Sequence, residues 1–445
     1  MDLIADIPVL GTFITMVVPF LIVLGVVVFV HEFGHYIVGR WTGIKAEVFS
    51  IGFGPKLVGW TDRAGTHWQV AALPLGGFVK FVGDMDPASA EARADDDLAP
   101  EDRAHAFHNA GLGARAATVA AGPVFNFILS ILLVAAIGLA SGRPSTEPVL
   151  GELTGAVAES AFAEGDRVVS IAGEPTETLD DVVGALTRLD GQAVPAVVER
   201  DGRVREIELT LAATPVIRAV LPATPAARAG VEPGDVVLAI GGQPIETYHD
   251  LRVIAANAPA GEPVELTLER AGETLTLPVM PDMLEREHPE TGERMMLPTL
   301  GISGGLDGIA PRLDSMGPVE ALVYGAERTW GIIAVTVGYL YDILGGRADA
   351  SQLGGPIGIA KISGEAAAAG VGSIVWLIAL LSTSIGLINL FPIPILDGGH
   401  LMFYALEGLR GRPVSSGAMR VGNMIGLSLV LLLMVFATYN DLLRI

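Results

Sequence analysis

His31-Glu32-Phe33-Gly34-His35 follows directly on Ile7 to Val30, a run of 24 residues without one charged side chain. On a helix, positions i and i+4 share a face. The two imidazoles can therefore converge on one zinc ion while Glu32 points toward a water as general base. The run before them is long enough to cross a bilayer, which needs about 20 apolar residues. Histidine and glutamate at that depth are costly unless they pair, coordinate or serve a function. A longer motif with a third histidine is excluded, because Val38 and Trp41 stand where its glycine and histidine would be.

Composition extends this reading to the whole chain. With 445 residues and 51% hydrophobic content, it is too long for one compact domain and too apolar for a simple soluble enzyme. Further charge-free runs lie at Ala116 to Gly142, Ala366 to Leu396 and Val421 to Asn440. The expectation is a multi-pass α-helical membrane protein with four transmembrane helices, at 7–33, 116–141, 371–393 and 421–440. The first run is no convincing cleavable signal, because Asp2 and Asp6 precede it where basic residues would be needed. A net charge of -22 argues against nucleic acid as a partner. The absence of cysteine excludes disulfides and thiolate metal sites.

Basic residues flank the spans unevenly. Arg40 and Lys45 follow the first run, Arg103 and Arg115 precede the second, and Arg410, Arg412 and Arg420 precede the fourth. The positive-inside rule then puts both termini and the long loop between spans two and three outside, with the motif toward the cytoplasm. Spans one and three run parallel, so the C-terminal end of span three reaches the depth of His31 and His35. Asp397 is the first charge there, closing Asn389-Leu390-Phe391-Pro392-Ile393-Pro394-Ile395-Leu396-Asp397-Gly398. Its two prolines must interrupt the helix, and broken backbone at membrane depth usually lines a polar cavity. Asp397 is therefore the expected third zinc ligand, leaving one position for water. Pro318 to Tyr341 carries Glu320, Glu327 and Arg328, and is expected to be an amphipathic helix at the interface or on the core. A fifth span there would carry Asp397 to the wrong side.

These residues resemble the site-2 protease family of intramembrane zinc metalloproteases (peptidase M50), in its two-PDZ bacterial form. Besides the two catalytic motifs, the resemblance rests on Gly52-Phe53-Gly54, Gly76-Gly77-Phe78-Val79-Lys80, Ala121-Gly122-Pro123 with Asn126, and Gly355-Pro356-Ile357-Gly358. It implies that His31, His35 and Asp397 bind Zn2+ and that Glu32 polarises water. It also implies that Asn389 and Asn126 lie near substrate, although helix-to-helix hydrogen bonding accounts for Asn126 equally well. The segment around Gly77, Phe78 and Val79 has the alternation of a hairpin or edge strand. In the family it forms a membrane-associated β structure, either adding an extended substrate as a strand or serving the fold alone.

Within the long loop, a shift of 69 residues aligns Gly165-Asp166 with Gly234-Asp235, Gly173 with Gly242, Pro175 with Pro244, and Glu177-Thr178 with Glu246-Thr247. An internal duplication explains this, and each unit resembles a circularly permuted PDZ domain. The expected division is a first membrane half at 1–142, PDZ-like units at 149–215 and 216–284, a linker with the amphipathic helix at 285–365, and a second membrane half at 366–445. The PDZ pair fits two roles, ligand binding or exclusion of bulky ectodomains.

The resulting expectation is a zinc endopeptidase of the bacterial inner membrane. Its partners would be the lipid bilayer and single-span membrane proteins, of the anti-sigma-factor type or signal-peptide remnants. A noncatalytic PDZ scaffold or a transporter would share the layout. The intact Glu32 and ligand set speak against the scaffold, and a transporter ranks behind it.

Overall fold

The computed structural model describes residues 13–83, 98–221, 224–259, 262–287, 293–304, 308–345 and 354–443. Asp2, Asp6 and the start of the first apolar run lie outside them. The chain divides into two compact units, one of Met1–Ser141 with Met316–Ile445, the other of Gly142–Ser315.

In the first unit, helix α1 (Val18–Trp41) is entered through a π-helical turn with proline in its first turn, and carries Arg40 in its last. It continues one and a half turns past His35. The charge-free run therefore marks only part of the span-length helix Ile14–Trp41, because the functional residues interrupt the run without breaking the helix. Strands β1 (Ala46–Thr61) and β2 (His67–Phe81) follow. Residues 48–51 of β1 pair with 77–80 of β2 on one edge and with 67–70 on the other. The outer part of β1, to Thr61, folds back on 67–71. That fold requires Gly52 and Gly54, whose φ angles of +89° and +86° are open to glycine but strained for other residues. The sheet docks on α1 through Phe49, Tyr36 and Phe81, with Phe49 stacked on Trp68 at 4.2 Å. Leu57, Val58, Trp60 and Leu73 remain exposed at the far end.

Helix α2 (Leu112–Ser141) spans the unit with Pro123 in its interior. It packs closely on α1 because Gly34 faces the backbone of Ala121, where a Cβ would come within 2.6 Å of the carbonyl oxygen. Besides the short turns at Pro100–Arg103 and Phe107–Asn109, five further helices follow among the described residues: α3 (Pro318–Leu344), α4 (Pro356–Ala369), α5 (Val371–Asn389), α6 (Asp397–Arg410) and α7 (Ser416–Leu443). Among the described residues four helices are long and apolar enough to cross a membrane, α1, α2, α5 and α7. The third expected run is split, since Gly370 at φ +112° ends α4 and caps α5. Helix α3 is not span-like by composition. It buries Ala321 and Thr329 and sets Gly325 against the backbone of Ile131 on α2, one residue per turn along a single stripe. Near the end of α7, the buried Asp441 accepts from the N–H groups of Gly355 and Gly358 at 2.9 Å each, closing the start of α4.

The second unit carries the duplication in its architecture. Each copy has a four-stranded antiparallel sheet of identical order, formed by 167–171, 174–175, 190–200 and 203–212 in one and by 236–240, 243–244, 264–270 and 273–279 in the other. Each has a nine-residue helix with a capping box, Thr178 with Asp181 and Thr247 with Asp250. Each buries an aspartate against an arginine fork, Asp166 with Arg200 and Asp235 with Arg270, at 2.7–2.8 Å. The boundaries differ from the expected ones. Ile302–Ser303 pairs with Ala219–Val220 in the second copy, whereas Ile309–Pro311 returns to pair with Leu150–Leu153 in the first. The second copy is thus inserted within the first, and the stretch expected as linker from 285 is partly sheet. Strands of two or three residues have no periodicity by which a sequence could announce them. Arg143 pairs with Asp314, so the chain enters and leaves this unit side by side.

Candidate active site

The site is assembled from three segments far apart in sequence. Helix α1 supplies His31, Glu32 and His35, with the two imidazoles edge to face and their Nε2 atoms 3.2 Å apart. The loop from Leu390 to Leu396 breaks the path between α5 and α6 and delivers Asp397 at the first turn of α6. Asp397 Oδ2 then lies 3.1 Å from His31 Nε2 and 3.6 Å from His35 Nε2. This delivery depends on close backbone contacts. A Cβ at Gly398 would overlap the carbonyls of Leu390 and Phe391, and one at Gly399 would overlap that of Ile393. Ile395 holds φ +92°, a strained value for a β-branched residue, costing about 1–3 kcal/mol. Arg115 at the start of α2 anchors α6 by a fork to Glu407 and lies over the ring of Tyr404.

Helix α2 forms the back wall with one residue per turn: Thr118, Gly122, Asn126 and Ser130, all buried. The Thr118 carbonyl accepts from His35 Nδ1 at 2.9 Å. That bond places the proton on Nδ1 and turns the lone pair of Nε2 into the site. Gly122 leaves the space the rings occupy, since its Cβ would overlap His35 Nε2 and come within 2.8 Å of His31 Cε1. The Asn126 amide lies 3.2 Å from His31 Nδ1, and its backbone carbonyl accepts from Ser382 of α5 at 2.8 Å. Ser130 meets Thr383 and Thr329, linking α2 to α5 and α3.

Glu32 lies within electrostatic reach of His31, His35 and Asp397, with the Val79 backbone nearby. Gly77 sits where a Cβ would come within 2.9 Å of Glu32 Cγ, so the edge strand runs beside the Glu32 carboxylate. Phe78 faces Phe53 in a stack at 6.1 Å. Asn389 ends α5 and is half-buried. Asn126 is fully buried against His31.

The donor set fits a zinc ion. One ligand atom from each of His31, His35 and Asp397 lies within 4.8 Å of the other two, a two-nitrogen, one-oxygen set of the kind that leaves a zinc coordination position for water. Among the described residues Asp397 Oδ2 is buried without a hydrogen-bond donor, as an oxygen reserved for a cation would be.

Sequence reading brought together the two histidines, Asp397, Glu32 and the Gly77 strand. It assigned no role to Thr118, Gly122, Ser130 or Ser382. Their signal was present as small and polar residues recurring every fourth position along an otherwise apolar span, a pattern that marks a packed helix face.

A His-His-Asp triad that could hold a metal, with an adjacent carboxylate and held among span-length helices, has the layout of a membrane metallohydrolase. The model of peptidase family M50 matches residues 19–433, and the chain belongs to that family. It is 39% identical over 427 residues to a protein of Agrobacterium fabrum named as a zinc metalloprotease, covering 96% of this chain and 95% of the relative. A protein of Rhizobium meliloti with the same designation is 40% identical over 424 residues, 95% of each chain. The regulator of sigma-E protease RseP of Salmonella typhimurium is 34% identical over 470 residues, 96% of this chain and 98% of that protein. The chain is a site-2-type metalloprotease.

Proposed function

We propose that this protein is a zinc endopeptidase of the bacterial inner membrane that cuts transmembrane segments of single-span proteins, with His31, His35 and Asp397 as metal ligands and Glu32 as general base. The observation that carries this reading is the meeting of the three ligand atoms beside Glu32. Zinc, when bound, supplies Lewis acidity toward water and the scissile carbonyl. Glu32 takes the proton of the attacking water and returns it to the departing amine. The strand at Gly77 packs against Glu32, and the Thr118 carbonyl orients His35.

A helical substrate has its carbonyls occupied and must open locally before attack. The β2 edge at Gly77, Phe78 and Val79 offers a strand on which the opened segment can pair, and Asn389 offers an amide at the mouth of the broken loop. The positions of Arg40, Lys45, Arg115 and Arg410 support a site toward the cytoplasm with both termini and the inserted unit in the periplasm. In this arrangement the two PDZ-like copies exclude substrates that still carry bulky ectodomains. The likeness to the regulator of sigma-E protease extends the reading to pre-cleaved anti-sigma factors and signal-peptide remnants as substrates.

Glu32→Gln is the direct test. The purified variant should retain its zinc by elemental analysis and lose at least about 1000-fold of cleavage of a labelled single-span substrate. Normal turnover by the zinc-loaded variant would remove Glu32 from the mechanism.

A further inference from the structure

We infer that Asn126 is a positioning residue for His31, fixing through its side-chain oxygen the imidazole tautomer that ligates metal, and that it is not a substrate contact. The inference rests on the zinc assignment above and deepens it.

The observation begins with an asymmetry between the two histidines. His35 has its tautomer fixed by a backbone carbonyl, which only accepts, so Nδ1 carries the proton and Nε2 is bare. His31 has no such carbonyl. Among the described residues its Nδ1 meets only the Asn126 amide, at 3.2 Å. To ligate through Nε2, the atom facing His35 and Asp397, His31 must also carry its proton on Nδ1. The amide must then present oxygen there.

Oxygen and nitrogen of an amide occupy nearly the same positions, and which faces His31 is decided by the bonds available. With nitrogen toward His31, Asn126 Oδ1 is buried with no donor among the described residues, a loss of about 1–3 kcal/mol. Rotating the amide by half a turn gives Oδ1 the His31 N–H as its donor and leaves His31 Nε2 bare.

The surroundings hold Asn126 to this task. It is fully buried, its backbone carbonyl is tied to Ser382, and α5 lies flush against it because Gly386 has no side chain, with an added Cβ only 3.2 Å from Asn126 Cβ. A residue so enclosed cannot reach a substrate backbone without moving α5. Partners that orient a metal-bound histidine in this way typically contribute 10- to 100-fold in metal affinity.

The test is zinc affinity of the full chain in detergent, measured by competition with a chromogenic chelator and independent of cleavage. Asn126→Leu, similar in volume, should bind zinc about 10- to 100-fold more weakly. Asn126→Asp can only accept at that position, and should restore affinity to within about threefold of the parent or better. Parent-like affinity in Asn126→Leu would overturn the inference. So would an Asn126→Asp variant no tighter than the leucine variant. Should Asn126→Leu fail to fold, the aspartate variant decides alone, a tenfold loss overturning the inference and parent-like affinity supporting it. His35→Ala, run in parallel, separates the two levels. If it binds zinc as the parent does, the zinc assignment fails. If it loses zinc while Asn126→Leu does not, only the role of Asn126 fails.

Discussion

At Gly122 the site tolerates no side chain. The position faces both imidazoles, which are pinned from behind by the Thr118 carbonyl and the Asn126 amide. A methyl group there cannot be accommodated by rotating a ring without breaking one of those bonds. Gly122→Ala should therefore weaken zinc binding by at least about tenfold, an effect of about 1.4 kcal/mol, while the helices still form. Chelator competition alongside circular dichroism checks both halves. Unchanged affinity would mean that α2 can withdraw from α1 at little cost, contrary to the close approach of Gly34 to Ala121. The same residues explain what the sequence could not announce. His31 and Asn126 are 95 positions apart, and their pairing depends on how α1 crosses α2. Helical periodicity gives the face of each helix but not which face meets which.

Among the elements, the edge of β2 makes the strongest demand. Its Gly77 runs against the Glu32 side chain, and in the proposed mechanism its neighbours offer pairing to an opened substrate. Val79→Pro removes a backbone donor and disrupts the edge. We expect cleavage of a helical membrane substrate to fall at least about tenfold more than hydrolysis of a short unstructured peptide, because the peptide is already extended. Equal losses on the same zinc-loaded variant would assign the strand to orienting Glu32 alone. The elements themselves were largely readable. Charge-free runs located α1, α2, α5 and α7, and glycine punctuation located the Gly77 edge of β2 but not its partner β1. The extension of α1 to Trp41 was hidden because His31, Glu32 and Arg40 end the apolar run while remaining good enough helix formers. The expected third span began where α5 begins, at 371, although the charge-free run itself reaches back to Ala366 across the turn at Gly370.

On the scale of the whole molecule, the pairing of Arg143 with Asp314 sets where the inserted unit can be removed. Deleting residues 143–314 and joining the ends with a short flexible linker should leave zinc stoichiometry unchanged and allow cleavage of substrates with intact ectodomains. A deletion confined to 149–281 would instead leave the strand at Ile309–Pro311 without its partner at Leu150–Leu153. A folded, zinc-loaded 143–314 deletion that still rejects every substrate with an intact ectodomain would show that the unit is not the filter.

The nesting of one copy inside the other also imposes a timetable on synthesis. The strand that ends at Leu153 waits for a partner that begins at Ile309, 156 residues later by difference of the two positions. At ribosomal rates of about 5–20 residues per second, that delay is roughly 8–30 s. The inner copy has all its strands before the outer copy does. It therefore has the chance to fold first, and the outer copy is completed around a finished domain. During the interval the Leu150–Leu153 edge has unpaired backbone groups, so newly made chains present a binding surface for folding helpers that mature chains have already closed.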